Sequence, residues 1–202
     1  MGSRPPRSAA RNKAIGRSLL VAVVLSAAAS AALPAQTWPT SPVRKGTLAF
    51  DARATLGDFT GTTDSVRGQL TGGDSLAAVR GWVEAPVSSF RTGNGRRDRD
   101  LYKSMESDIH PFIRFQLEGV EPQWERGDSA AVVLVGQFTI HGETRPERLN
   151  ALVHRSSEGI RVTTELPMNV KDYKVGGLSK FFGTFKMHPD IKVRVDVTFG
   201  DH

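Results

Sequence analysis

Ile191-Lys192-Val193-Arg194-Val195-Asp196-Val197-Thr198-Phe199 alternates apolar and polar residues without a fault. Successive strand side chains point to opposite faces. Ile191, Val193, Val195, Val197 and Phe199 therefore line one wall, and Lys192, Arg194, Asp196 and Thr198 the other. A helix would scatter the same residues around its circumference. This is the signature of a half-buried antiparallel strand, and it recurs along the chain.

From Thr47, Leu48, Phe50, Ala52, Ala54 and Leu56 share a face; a Thr-rich strand, Phe59 to Gln69, follows across Gly57-Asp58. Past Thr71-Gly72-Gly73-Asp74, Val79, Val83, Ala85 and Val87 alternate with Arg80, Trp82 and Glu84, and Pro86 marks a strand end or an edge. Asn94 to Asp108 is charged, with Leu101 and Met105 four apart, which predicts one short helix after a loop at Gly93. Strands resume at Ile113, Phe115 and Leu117. A loop is expected over Glu121–Asp128, then a strand from Ala130 to Ile140, a tight hairpin at His141-Gly142 and a strand through Leu149, Ala151 and Val153. Ser156–Gly159 turns into Ile160–Leu166, and residues 167–189 read as irregular before the final strand. About eight strands joined mostly by short turns form a meander, which closes most economically into a barrel without free edges. A two-sheet sandwich is the rival.

The formal charge of +6 points toward nucleic acid only until its distribution is considered. Residues 1–35 hold Arg4, Arg7, Arg11, Lys13 and Arg17 and no acidic residue, followed by Leu19–Leu25 and an Ala-rich stretch. This basic, then apolar, then small-residue order is that of a secretory signal peptide, cut after Ala35 or, as rivals, Ala31 or Ala32. A retained membrane anchor is the alternative, but the run is short and Ala-rich for a span. Removing those five from 27 basic residues leaves 22 against 21 acidic, a net charge of +1, and with it goes the case for nucleic acid. The expected organisation is a signal peptide at 1–35, a short lead at 36–46 and one domain at 47–202. With no cysteine, disulfides, thiol chemistry and anchoring through an N-terminal cysteine have no residue to use. An exported, cysteine-free chain of this size fits the bacterial periplasm.

Catalytic signals are poor, and no enzyme activity is expected. His110, His141, His154, His188 and His202 show no i, i+2 strand pair or i, i+4 helix pair, so neither metal nor cofactor is expected. No Gly-x-Ser-x-Gly elbow or phosphate-binding loop occurs. Arg96-Arg97-Asp98-Arg99-Asp100 reads either as a self-neutralising solvated helix face or as a rim where Arg97 and Arg99 grip an anionic head group. Phe181, Phe182 and Phe185 either plug a barrel end or rim a pocket.

Several segments together resemble the YceI-like family of exported lipid-binding proteins: Ser88-Ser89-Phe90-Arg91-Thr92, Arg97-Asp98-Arg99-Asp100-Leu101-Tyr102, His110-Pro111-Phe112-Ile113-Arg114-Phe115, and Val135 to Pro146 with its Gly136-Gln137-Phe138-Thr139-Ile140-His141-Gly142 hairpin. The order and spacing hold across residues 47–199, and the hairpin is the most specific piece. His110 departs from the aromatic residue common before that proline, and Phe138 replaces Leu. The resemblance implies a lipocalin-like eight-stranded antiparallel barrel around an elongated apolar cavity that holds a long isoprenoid or similar amphiphile.

The expected cavity lining is Phe50, Ala54, Phe115, Leu134, Phe138, Val195 and Val197, with Phe181 and Phe182 at the mouth. Ala52, Ala54, Gly81, Ala85, Gly136 and Ala151 on or near the inward stripes leave room beside the phenylalanines. The expected protein is thus a periplasmic lipid carrier that makes peripheral contact with membranes, its oligomeric state open, a dimer included. The alternative is an exported stress-related interaction barrel, filled by its own side chains and holding no lipid.

Overall fold

The computed structural model describes residues 37–55, 57–176 and 187–201. Among the described residues nine strand segments run in the order β1 (Ser41–Ala54), β2 (Phe59–Thr63), β3 (Arg67–Thr71), β4 (Arg80–Pro86), β5 (Phe112–Arg126), β6 (Ser129–Ile140), β7 (Glu143–Ser156), β8 (Gly159–Asn169) and β9 (Met187–Phe199), with a single α-helix, α1 (Gly95–Ser104), between β4 and β5. Every pairing is antiparallel, neighbours pair in sequence from β3 to β9, and β9 returns to β1. That last pairing removes both free edges.

Nine segments make eight staves because β2 and β3 act as one interrupted strand. Both lie on the same edge of β1, and the register of Leu48↔Thr63 carried seven residues along gives Ser41↔Leu70. The interruption falls at Asp64–Val66, where the Val66 N–H turns back to the Asp64 carbonyl and the Ser65 N–H donates to the Thr63 hydroxyl. The fold is the closed eight-stranded antiparallel barrel with one short helix that the alternation describes.

Three elements differ from the sequence reading. The stretch 167–189, read as irregular, holds the end of β8 at Asn169 and the start of β9 at Met187. Glu121–Asp128 is not a loop. β5 continues to Arg126, pairing with β6 as far as Arg126↔Ser129, and a register shift between Pro122 and Trp124 accommodates the proline. Its side chains there are exposed, so no buried face marked it as strand. The supposed lead is also partly barrel: β1 starts at Ser41, and Trp38 is buried and bridged to Gly73. Residues 1–35, expected to be a signal peptide, lie outside the described residues.

Buried side chains form two large clusters along the barrel and a small third of Leu48, Ala85 and Phe90. Trp38, Leu76, Val132, Val153, Val197 and Phe199 gather at one end. Val87, Met105, Phe138, Met168, Tyr173 and Val193 gather at the other, under α1. Outward faces carry cross-strand ion pairs such as Arg161–Asp196 and Arg194–Asp51, each worth about 1 kcal/mol or less.

Candidate functional site: an apolar two-chamber interior

The helix is set over one barrel end by a polar clamp written into the Ser88–Tyr102 segment. Asn94 caps α1, its side chain accepting from the Arg96 and Arg97 N–H groups at 3.0 and 3.2 Å. Asp98 is buried and accepts from Thr92 twice, from the N–H at 2.8 Å and the hydroxyl at 2.6 Å. Its negative charge in the first turn also suits the helix dipole. The Tyr102 hydroxyl donates to the Phe90 carbonyl at 2.6 Å and accepts from Arg91. These bonds press Val87, Phe90, Leu101 and Met105 inward as the ceiling of a chamber.

Two small chambers result, with cavity volumes of about 80 and 90 Å³. The first lies under α1 and reaches Met168, Tyr173, Met187 and Ile191. The second runs toward Trp38, Leu76 and Phe199. Leu48, Ile113 and Phe138 line both, so these three side chains stand as a waist between the two chambers. Phe50, Ile113, Phe115, Leu134 and Val195 pack on the buried clusters yet keep part of their surface open.

Among the described residues the one hydroxyl on the lining of the α1-end chamber is that of Tyr173, 1 % exposed, and it is already spent: it donates to Glu147 Oε1 at 2.9 Å. Burial first, and the neighbouring carboxylate second, push its ionisation above the ordinary tyrosine range, so the ring stays neutral. Thr164, on the other chamber, donates to the Asn150 carbonyl at 2.7 Å. The walls thus offer dispersion and desolvation and little directed polar chemistry.

Among the expected lining residues, Phe50 and Phe138 line the α1-end chamber, and Phe115, Leu134, Phe138, Val195 and Val197 the other. Ala54 lies past a register shift at the end of β1, half-buried and paired with Met187, and lines neither. Arg97 and Arg99 are not on the lining either. The Arg97 guanidinium stacks 4.2 Å from the Phe59 ring centre and Arg99 is exposed. Phe181 and Phe182 lie outside the described residues, in a stretch flanked by the lining residues Val175 and Met187.

Gly81 and Gly136 do not leave cavity room, as their small size suggested. A Cβ on Gly136 would meet the Gln116 carbonyl oxygen at 2.1 Å, and one on Gly81 the Gln69 oxygen at 2.4 Å. These glycines let neighbouring backbones approach. Trp38, Tyr173, Val175 and Met187 line the interior without having been singled out for it: the first three lie outside the strands, and Met187 opens β9 within the stretch read as irregular.

A YceI-like domain matches residues 38–199. The chain belongs to the YceI-like family. No curated protein sequence matches it, but solved structures share the fold. A polyisoprenoid-binding domain from Saccharophagus degradans, implicated in plant cell wall breakdown, superposes with a TM-score of 0.68 at 14 % identity, covering 81 % of this chain and 98 % of that one. Burkholderia cenocepacia BcnA gives 0.64 at 14 % identity, covering 75 % and 94 %. The Campylobacter jejuni YCEI protein gives 0.54 at 16 %, covering 70 % and 85 %. In this YceI-like chain the Ser88–Tyr102 motif is the clamp that holds the ceiling of the α1-end chamber.

Proposed function

We propose that this YceI-like protein is an exported carrier that holds one long isoprenoid or similar amphiphilic chain in its barrel. The observation that supports the reading is the pair of adjacent apolar chambers, with Leu48, Ile113 and Phe138 as their common wall, which a long tail joins by displacing these side chains. Each methylene transferred there from water is worth about 0.8 kcal/mol, so a long tail binds strongly without a catalytic constellation. The polyisoprenoid-binding domain of similar fold supports the ligand class, and a family built on a binding-protein fold supports binding rather than catalysis. Residues 1–35 act as the cleaved signal peptide and place the carrier in the periplasm, where it takes its ligand by peripheral contact with a membrane. N-terminal sequencing of envelope protein is expected to begin at Gln36; an intact Met1 contradicts export with cleavage.

Trp38 and Trp82 line the second chamber and report on its filling. Titrating delipidated protein with a detergent-dispersed isoprenoid alcohol is expected to shift tryptophan emission, saturating at one molecule per chain. Emission that stays unchanged while a short-chain control behaves identically contradicts the reading.

A further inference from the structure

Glu106 and His110, four residues apart, come together in space with the distant His141: their ligand atoms all lie within 4.8 Å of one another. From this cluster we infer that the protein carries a site for a divalent transition metal, zinc above all, which fastens the turn after α1 to the β6–β7 hairpin. Glu106 Oε2 stands 3.3 Å from His141 Nε2 and 3.8 Å from His110 Nε2. Tetrahedral zinc with ligands at about 2.0–2.1 Å sets neighbouring ligand atoms about 3.4 Å apart, so small side-chain rotations complete the sphere.

The orientation of His141 is the second observation. Its Nδ1 lies 3.3 Å from the Tyr173 carbonyl oxygen. A carbonyl only accepts, so Nδ1 carries the hydrogen, and in the neutral ring the lone pair is on Nε2. That Nε2 is buried and has no hydrogen-bond partner, although the Glu106 carboxylate is close by. A buried imidazole nitrogen left without a partner is costly, and a histidine whose other nitrogen is held by a carbonyl is the usual arrangement of a metal ligand.

The backbone is shaped around the same three residues. Glu106 and His141 have φ of 47° and 51°, a conformation that only one other non-glycine residue adopts among those described. Such strain collects at functional sites. The Glu106 carbonyl accepts from the Ile109 and His110 N–H groups at 2.8 Å, closing the turn that presents both Glu106 and His110. The His110 ring lies against Gly142, where a Cβ would come within 2.6–3.1 Å of its atoms, so the hairpin glycine admits the ring. The two imidazoles sit edge to face, 5.2 Å between centres.

Two imidazoles and one carboxylate suit zinc, with copper and nickel as competitors for such donors. Three protein ligands leave a fourth position, reached past the half-exposed Glu106 and the 30 % exposed His110 side chain. Met105 and Ile140, the immediate neighbours of Glu106 and His141, line the α1-end chamber. A bound ion therefore joins two pieces of that chamber's wall, and the inference stands whether or not the interior holds a lipid.

The test uses untagged protein stripped with a chelator, titrated calorimetrically with zinc and, separately, with cobalt(II) followed by visible absorption. One ion per chain is expected, with intense ligand-field bands of four-coordinate cobalt and a raised melting temperature. His110→Ala, on the more exposed ligand, and Glu106→Gln are each expected to weaken binding by about tenfold or more and to abolish the bands. His154→Ala, outside the cluster, is expected to bind as the parent does. Weak, unsaturable binding, or His110→Ala and Glu106→Gln binding like the parent, overturns the site and leaves an imidazole–carboxylate contact only. Should a variant fail to fold, the stoichiometry and cobalt spectrum of the parent decide: octahedral bands or no bands overturn the proposal.

Discussion

Closing the waist separates a cavity from a filled core. Ile113 lies opposite Ala85 across the β4–β5 pairing, and it lines both chambers. In Ile113→Trp the indole occupies the passage, and a tail that spans it must withdraw into one chamber. Leaving even four methylenes in water costs about 3 kcal/mol, a factor of about two hundred in affinity. Stability moves differently. If the interior is open, the added ring enters space that is already there, and delipidated parent and variant melt within about 2 °C of each other. If side chains fill the interior, overpacking costs about 1–3 kcal/mol, a fall of about 3–9 °C for a domain of this size. Both proteins are delipidated first, because a bound tail raises the parent's melting point by mass action. The assay pairs isoprenoid titration with thermal unfolding. A variant that melts far below the parent, or that binds the same tail with the same affinity, refutes the two-chamber reasoning.

Three further outcomes follow from particular contacts. Val197 is 2 % exposed, so Val197→Asp buries an unpaired carboxylate and is expected to unfold the domain, whereas Lys192→Ala, which breaks the exposed pair with Glu165, stays within about 1 kcal/mol; circular dichroism melts check both. Asn94→Ala removes the α1 cap and is expected to cost about 1 kcal/mol in denaturant unfolding, with isoprenoid affinity falling if the chamber ceiling loosens. Tyr173 keeps its proton in the folded barrel above its ordinary value of 10.0, while in the unfolded chain it ionises there. The folded state then binds more protons, so its stability is full below pH 10 and falls as pH rises beyond it, by up to about 1.4 kcal/mol per unit from this group; Tyr173→Phe is expected to remove that part of the alkaline slope.

The barrel was legible because most staves bury one face only: the alternation in β9, β6 and β7 follows from that burial, and the His141-Gly142 pair, both at positive φ, announces its hairpin. The distal half of β5 was not, because its side chains are exposed and the pattern that marks a strand is a pattern of burial. Inward-facing Phe50, Phe115 and Phe138 could be placed from their stripes. Tyr173 and Trp38 could not, since each reaches the interior from a turn or a lead, where periodicity carries no information. Gly81 and Gly136 were misread for a related reason: a small residue gives room either to a ligand or to a neighbouring backbone, and the sequence does not distinguish the two. The histidine cluster escaped because spacing rules search along one element, while His110 precedes β5 and His141 follows β6.

The central claim, that the barrel interior holds one long apolar chain, is tested most directly by native mass spectrometry of the protein purified without detergent from a bacterial envelope. The account predicts a single lipid-sized mass adduct per chain that is lost on solvent extraction, identified in the extract as an isoprenoid or similar amphiphile, and missing from Ile113→Trp. A parent protein that carries no adduct, and gains none after incubation with isoprenoid-containing vesicles, contradicts it.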